Sequence, residues 1–173
     1  GTLLIRESDN STRVLEGDEI SAISDTYEVK LSVVPTGTVV VDLQFDSSQI
    51  EVYENGTAIT SLVFQAGDDQ WRTLSVKAVQ DAVRENTSIV KITHKFDTDY
   101  TDDADITSDP VYASADEVEL DVRVFDDDSA QVLVTESDGS TRVVMNVEGD
   151  DYTLRLVSDP GAEVYVNLYG DGQ

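Results

Sequence analysis

Val118-Glu119-Leu120-Asp121-Val122-Arg123-Val124-Phe125-Asp126-Asp127-Asp128-Ser129-Ala130-Gln131-Val132-Leu133-Val134 reads as a strand, a triple aspartate and a second strand. Val118, Leu120, Val122 and Val124 alternate with Glu119, Asp121 and Arg123. That period of two belongs to a strand with one face buried and one face wet. Three adjacent carboxylates then follow. A turn at a strand end does not need them, because Gly, Asn or Ser would serve without the mutual repulsion. Such runs usually face solvent. A hard cation is the other reading, since it takes several oxygen ligands.

Strands of the same kind recur along the chain. Tyr27, Val29, Leu31 and Val33 alternate with Glu28, Lys30 and Ser32, and Pro35-Thr36-Gly37 then marks a turn. Val39, Val41, Leu43 and Phe45 give the next strand. Ile50 to Tyr53 and Leu62 to Phe64 flank a turn at Asn55-Gly56. Leu74, Val76 and Ala78 alternate with polar neighbours, as do Val90, Ile92 and Phe96. No window keeps a helical period. Short strands separated by turn signals predict an all-β protein, an antiparallel seven-stranded β-sandwich of immunoglobulin-like type. Trp71, at the head of a strand, is expected to close one end of the core.

The composition narrows the function classes. Across 173 residues, 11 Lys and Arg face 36 Asp and Glu, a net charge of −25. That surface repels nucleic acid and anionic lipid, and suits divalent cations or a salty medium. No cysteine is present, so disulfides and thiolate metal sites are excluded. A secreted protein without disulfides fits a prokaryotic surface better than an animal extracellular module. No apolar run approaches the ~20 residues of a membrane helix. Gly1 is not an initiator Met, so the chain is expected to be processed or a slice of something longer.

The strongest signal is an internal repeat. Ile5-Arg6-Glu7-Ser8-Asp9-Asn10-Ser11-Thr12-Arg13-Val14 returns as Val134-Thr135-Glu136-Ser137-Asp138-Gly139-Ser140-Thr141-Arg142-Val143, with seven identities in ten positions. Asp25 to Leu31 returns as Asp150 to Leu156, Pro35 as Pro160, and Val39, Val41 and Leu43 as Val164, Val166 and Leu168. One whole unit is therefore expected over 1–128, and the opening strands of a second, incomplete unit over 129–173. The expected partners are neighbouring repeats, in a filament or lattice or by strand complementation.

At this point the first unit resembles the Calx-beta family and the related cadherin-like tandem repeats of large bacterial surface proteins of adhesin type. The residues that carry the resemblance are Val14-Leu15-Glu16-Gly17-Asp18, Val76 to Asn86, and Val122 to Asp128, supported by Phe64 to Trp71 with Leu74-Ser75-Val76. The resemblance covers 1–128 and restarts at 131. It implies a sandwich with Ca²⁺ at one end, held by a glutamate near the first strand, an acidic middle loop and the terminal aspartates. Carried over position by position, the ligands are Glu16, Asp81, Glu85, Asp126, Asp127 and Asp128. Gln80 and Thr87 stand where the pattern would have acids, which points to one or two ions rather than four. Asp46 is a further, marginal candidate. The implied function is a calcium-stabilised spacer, adhesin stalk or filament subunit at the cell surface, with no enzymatic role. The alternative is a carbohydrate- or ligand-binding module on a secreted protein, with Tyr53, Tyr165 and Tyr169 as candidate aromatics.

Other constellations carry less. Counted from Asp97, an EF-hand would need Gly at 102 and Glu at 108, where Asp102 and Ser108 stand, so a solvated loop is expected. His94 is the lone histidine, in the apolar phase of its strand, and has no nucleophile motif to serve. Asn10, Asn55 and Asn86 lie in glycosylation sequons, which matter only in a cell that can use them. A net charge of −25 with no basic stripe predicts that, in chelator, added monovalent salt raises the melting temperature by screening self-repulsion. Thermal melts across a salt series check this; a fall in melting temperature contradicts it.

Overall fold

The computed structural model describes residues 1–18, 22–98, 107–143 and 149–170. Among these residues twelve strands run in order: β1 Leu3–Glu7, β2 Thr12–Leu15, β3 Asp25–Leu31, β4 Val39–Gln44, β5 Ile50–Glu54, β6 Thr57–Ala58, β7 Ser61–Phe64, β8 Arg72–Ala78, β9 Ser88–Phe96, β10 Val118–Phe125, β11 Val132–Glu136 and β12 Tyr152–Leu156. Two five-stranded sheets, β1-β3-β8-β5-β6 and β2-β10-β9-β4-β7, form a β-sandwich, and β11-β12 forms a separate two-stranded sheet. The alternation read from the sequence is the burial pattern observed. Tyr27, Val29 and Leu31 of β3 point inward, and so do Leu120, Val122 and Val124 of β10.

Two local features add strands beyond the expected seven. The opening stretch breaks at the turn around Asn10, whose φ of 55° lies in the left-handed region. β1 then joins one sheet and β2 the other. Asn55 and Gly56, with φ of 50° and 81°, close the β5–β6 hairpin, as an Asn-Gly pair is suited to do. The pairing is antiparallel except between β2 and β10, which run parallel with Val14 beside Val124 and Leu15 beside Phe125.

One expectation needs correction. Trp71 does not close the core; it is 36% exposed on the outer face, with the Arg6 guanidinium 4.6 Å above its ring. The acidic stretch Asp97 to Asp105, expected as a solvated loop, falls mostly outside the described residues. Residues 99–106 lie outside the described set, but Thr107, Asp109 and Tyr112 beyond them are buried. Asp109 Oδ2 accepts from the Thr36 amide at 2.6 Å and the Gly37 amide at 3.1 Å, and Oδ1 from the Val111 amide at 2.8 Å. Tyr112 stacks on Phe96 at 5.4 Å, and its hydroxyl accepts from the Val33 amide and donates to the Val33 carbonyl. This segment plugs the sandwich end opposite the triple aspartate.

Three ties fix β11 and its following turn to the sandwich. Arg13 donates to the Val134 carbonyl, and Thr87 to Gln131. Gly139, at φ 70°, packs so closely on Asp9 that a Cβ there would lie 2.4 Å from the Asp9 carbonyl oxygen. A small second core of Leu15, Leu133 and Val157, with Ile23 and Phe125 against it, lies beneath these ties.

His94 is fully buried. Its Nδ1 lies 3.0 Å from the Val118 carbonyl, which can only accept, so Nδ1 carries the proton. Nε2, 3.0 Å from the Tyr27 hydroxyl, is then the acceptor. With both nitrogens engaged inside the core, this histidine is structural. Burial pushes its pKa down to about 4, against the hydrogen bonds to the Val118 and Ile92 backbone. The unfolded chain therefore binds this proton more readily. Stability from this group is complete above pH 6.5 and is lost as pH falls towards 4, by up to about 3 kcal/mol. Urea melts of the parent and of His94→Leu across that range check this: the parent should lose stability relative to the variant as pH falls, whatever the other titrating groups contribute.

Candidate metal centre

The parallel pairing of β2 with β10 creates the site. Two strands side by side, in register and in the same direction, end together. The residues that follow them, Glu16 and Asp126, therefore emerge at one end of one sheet, tied by the Glu16 amide donating to the Phe125 carbonyl at 2.9 Å. β9 runs antiparallel to β10, with Ser88 opposite Val124, so the loop 79–87 that leads into β9 arrives at the same end. Three segments distant in sequence thus bring their acids to one place.

Carboxylate oxygens of Glu16, Asp126 and Asp127 lie within 4.8 Å of one another. Glu16 and Asp126 are each only 2% exposed. The two buried acids differ in how their charge is held. Asp126 Oδ2 accepts from the Glu85 amide and from the Ser129 hydroxyl, both at 2.6 Å, and Oδ1 accepts from the Asp128 amide at 2.7 Å. Burial alone would raise its pKa; these donors, helped by the Arg84 charge, outweigh burial and hold it below the ordinary range. Glu16 lacks such support. Its Oε2 is buried and has no hydrogen-bond partner. Burial, then the charges of Asp81 and Asp126, push its pKa up to about 7, although the Asp81 amide pulls the other way. An orphaned carboxylate oxygen facing two further carboxylates costs stability unless a cation completes it.

The other expected ligands take supporting positions. Asp81 and Glu85 are close enough for their charges to raise Glu16. Asp81 Oδ1 also accepts from the Val83 amide at 2.6 Å, and Glu85 Oε2 from Gln49 at 3.2 Å. Asp128 is raised by desolvation first, then by Asp127, Asp126 and Asp81. Gln80 directs its amide at Asp127 Oδ1, 3.2 Å away, and so occupies an oxygen where an acid would have added one. Asp46 is not among the acids that cluster there; its Oδ1 accepts from the Ser48 amide and hydroxyl. Ser129 was not legible as a site residue, yet its hydroxyl lies 2.6 Å from Asp126 Oδ2 and 2.7 Å from the Glu85 carbonyl. The signal for it is a small hydroxyl residue three positions after Asp126, a local side-chain turn. Asn10, Asn55 and Asn86 all lie exposed on loops, and the left-handed backbone at Asn10 and Asn55 is a sufficient reason for asparagine there.

The donor set is oxygen only, and most of it is anionic. The residues present therefore fit a hard divalent cation and not a soft one.

No family model matches the chain, and no curated protein matches it. Among solved structures, the crystal structure of CBD12 from CALX1.2 is similar at 15% identity and a TM-score of 0.42, over 83% of this chain and 53% of that one. The chain thus spans about half the length of that structure. A likeness at that level says nothing about the site, which stands on its own geometry. Among the described residues, no helix is long and apolar enough to cross a membrane.

Removal of the orphaned charge should help the metal-free protein. Glu16→Gln is expected to raise the melting temperature in chelator, whereas Asp126→Asn, which disturbs three satisfied hydrogen bonds, is expected to lower it. Paired melts of the two variants against the parent check the opposite signs.

Proposed function

We propose that Glu16, Asp126 and Asp127 bind Ca²⁺, with Asp81, Glu85 and Asp128 as the further carboxylates of the site, and that the bound ion stabilises a structural repeat of a large extracellular protein. The single observation behind this reading is the buried, unpartnered Glu16 Oε2 beside two carboxylates. Calcium accepts six to eight oxygens in irregular geometry, which suits ligands gathered from three loops; magnesium demands a stricter octahedron and gives up its waters reluctantly. Bound there, the cation would supply the positive charge that the cluster lacks and join the β2 end, the 79–87 loop and the β10 end.

The role as a spacer, adhesin stalk or filament subunit at a prokaryotic surface is supported by the internal repeat, the net charge of −25 and the lack of cysteine. His94, the lone histidine, is locked into the core.

Calcium at a hundredfold its dissociation constant should add about 2.7 kcal/mol of stability. Melts in calcium, in magnesium and in chelator test this. Asp127→Asn should remove most of the gain, and Asp116→Asn, remote from the cluster, should keep it. Superimposable curves in calcium and chelator would end this reading.

A further inference from the structure

β11 and β12 repeat β1 and β3 in pairing as well as in sequence. In the first unit Leu3 faces Leu31, Ile5 faces Val29 and Glu7 faces Tyr27. In the second, Val132 faces Leu156, Val134 faces Leu154 and Glu136 faces Tyr152. These are the partners that the internal repeat assigns, position for position, so the hairpin is the same object built twice.

Its surroundings are not the same. In the first unit β3 pairs with β1 on one edge and with β8 on the other, Tyr27 beside Leu74 and Asp25 beside Val76. β12 pairs with β11 alone among the described strands. Tyr27 and Val29 are 1% and 0% exposed, whereas their counterparts Tyr152 and Leu154 are 44% and 38% exposed. The counterparts of the fully buried Val39 and Val41, Val164 and Val166, are 49% and 45% exposed, and residues 161–170 form no strand. The reason is physical. β4 is held by hydrogen bonds to β9 and β7, and a strand without a ladder has nothing to offset the entropy of extension. Beside β12, an open hollow of about 450 Å³ is lined by Val132, Leu156, Pro160 and Val164. A bare apolar face of this size is a docking surface or an aggregation hazard.

We propose that residues 132–170 form the receiving half of a second sandwich, completed by a segment of the β8–β9–β10 type from a further repeat, whose first strand adds antiparallel to the free edge of β12. The first unit specifies the partner's chemistry. By the β3–β8 register, the incoming strand sets one apolar residue beside Tyr152, another beside Asp150 and a basic residue beside Leu154, the places of Leu74, Val76 and Arg72. The following two strands lie across the face of Tyr152, Leu154 and Val134, as β9 and β10 lie across Tyr27, Val29 and Ile5. A second copy of this chain meets that description poorly, because its own β8, β9 and β10 are already committed within its sandwich. The inference rests on the repeat and not on cation binding, so failure of either leaves the other standing.

The test compares the full chain with an extended chain in which residues 46–128 follow Gly170, and reads backbone hydrogen exchange. Amides of 27–31 are the internal standard. In the full chain at low concentration, amides of 152–156 should exchange about 100-fold faster than the standard. In the extended chain they should approach it, and Leu154→Asp should undo the gain. If the extended chain is insoluble, a peptide of residues 71–80 is titrated into the full chain; protection confined to 152–156 supports the proposal, and its absence overturns it. Protection already present in the monomeric full chain would show the face to be covered from within. Protection that grows with protein concentration, together with dimers, would make the occupant a second copy. Either result overturns the proposal as stated.

Discussion

The parallel contact between β2 and β10 is the constraint on which the rest depends. In an otherwise antiparallel sandwich, it joins the first strand of one sheet to the last and makes both end at the same height. Had β2 paired in the opposite direction, Glu16 would leave its strand at the far end, near Asp109 and Tyr112, and Asp126 would have no buried carboxylate beside it. The same contact carries Leu15 and Phe125 into the small second core with Leu133 and Val157. The acidic site and the footing of the second hairpin are therefore one consequence of one strand pairing.

Two ends of one sandwich solve the same electrostatic problem differently. Asp109 is buried but surrounded by amides of Thr36, Gly37 and Val111, with the Thr36 amide the largest of the effects that hold its pKa down. That carboxylate is complete within the protein and works as a loop anchor. Asp126 is also complete, through Ser129 and two backbone amides. Glu16 is not, and its neighbours are mostly further acids. What the fold aims at each oxygen, not how many acids stand nearby, sets whether a buried carboxylate's charge is satisfied within the protein.

Much of the fold was legible because period-two alternation survives in β3, β8, β9 and β10, where one face meets the core and the other meets water. What alternation does not carry is partner choice. Nothing in Thr12-Arg13-Val14-Leu15 announces a parallel neighbour more than a hundred residues away, and the break at Asn10 looks like any polar turn. Trp71 was misplaced because size and hydrophobicity suggest a core residue, whereas a guanidinium stacked on its outer face is an equally good use of a large ring. Among the acids, Glu16, Asp126 and Asp127 were legible as a set through the resemblance. The protonation contrast between Glu16 and Asp126 was not, because it depends on Ser129 and on amides whose aim only the folded backbone fixes.

The repeat supplies a control inside one molecule. The same hairpin, in the same register, is rigidly buried in the first unit and half bare in the second. The strand that should follow it is formed in the first unit and absent in the second. The apolar pattern is kept between the two; ladder partners and a covering sheet are not. Local propensity therefore suffices for a hairpin whose two strands pair with each other. It does not suffice for β4, whose two neighbours, β7 and β9, both come from later in the chain. That separates what each element owes to its own residues from what it owes to its neighbours. It also explains why Val164, Val166 and Leu168 keep a strand's pattern without a strand's structure.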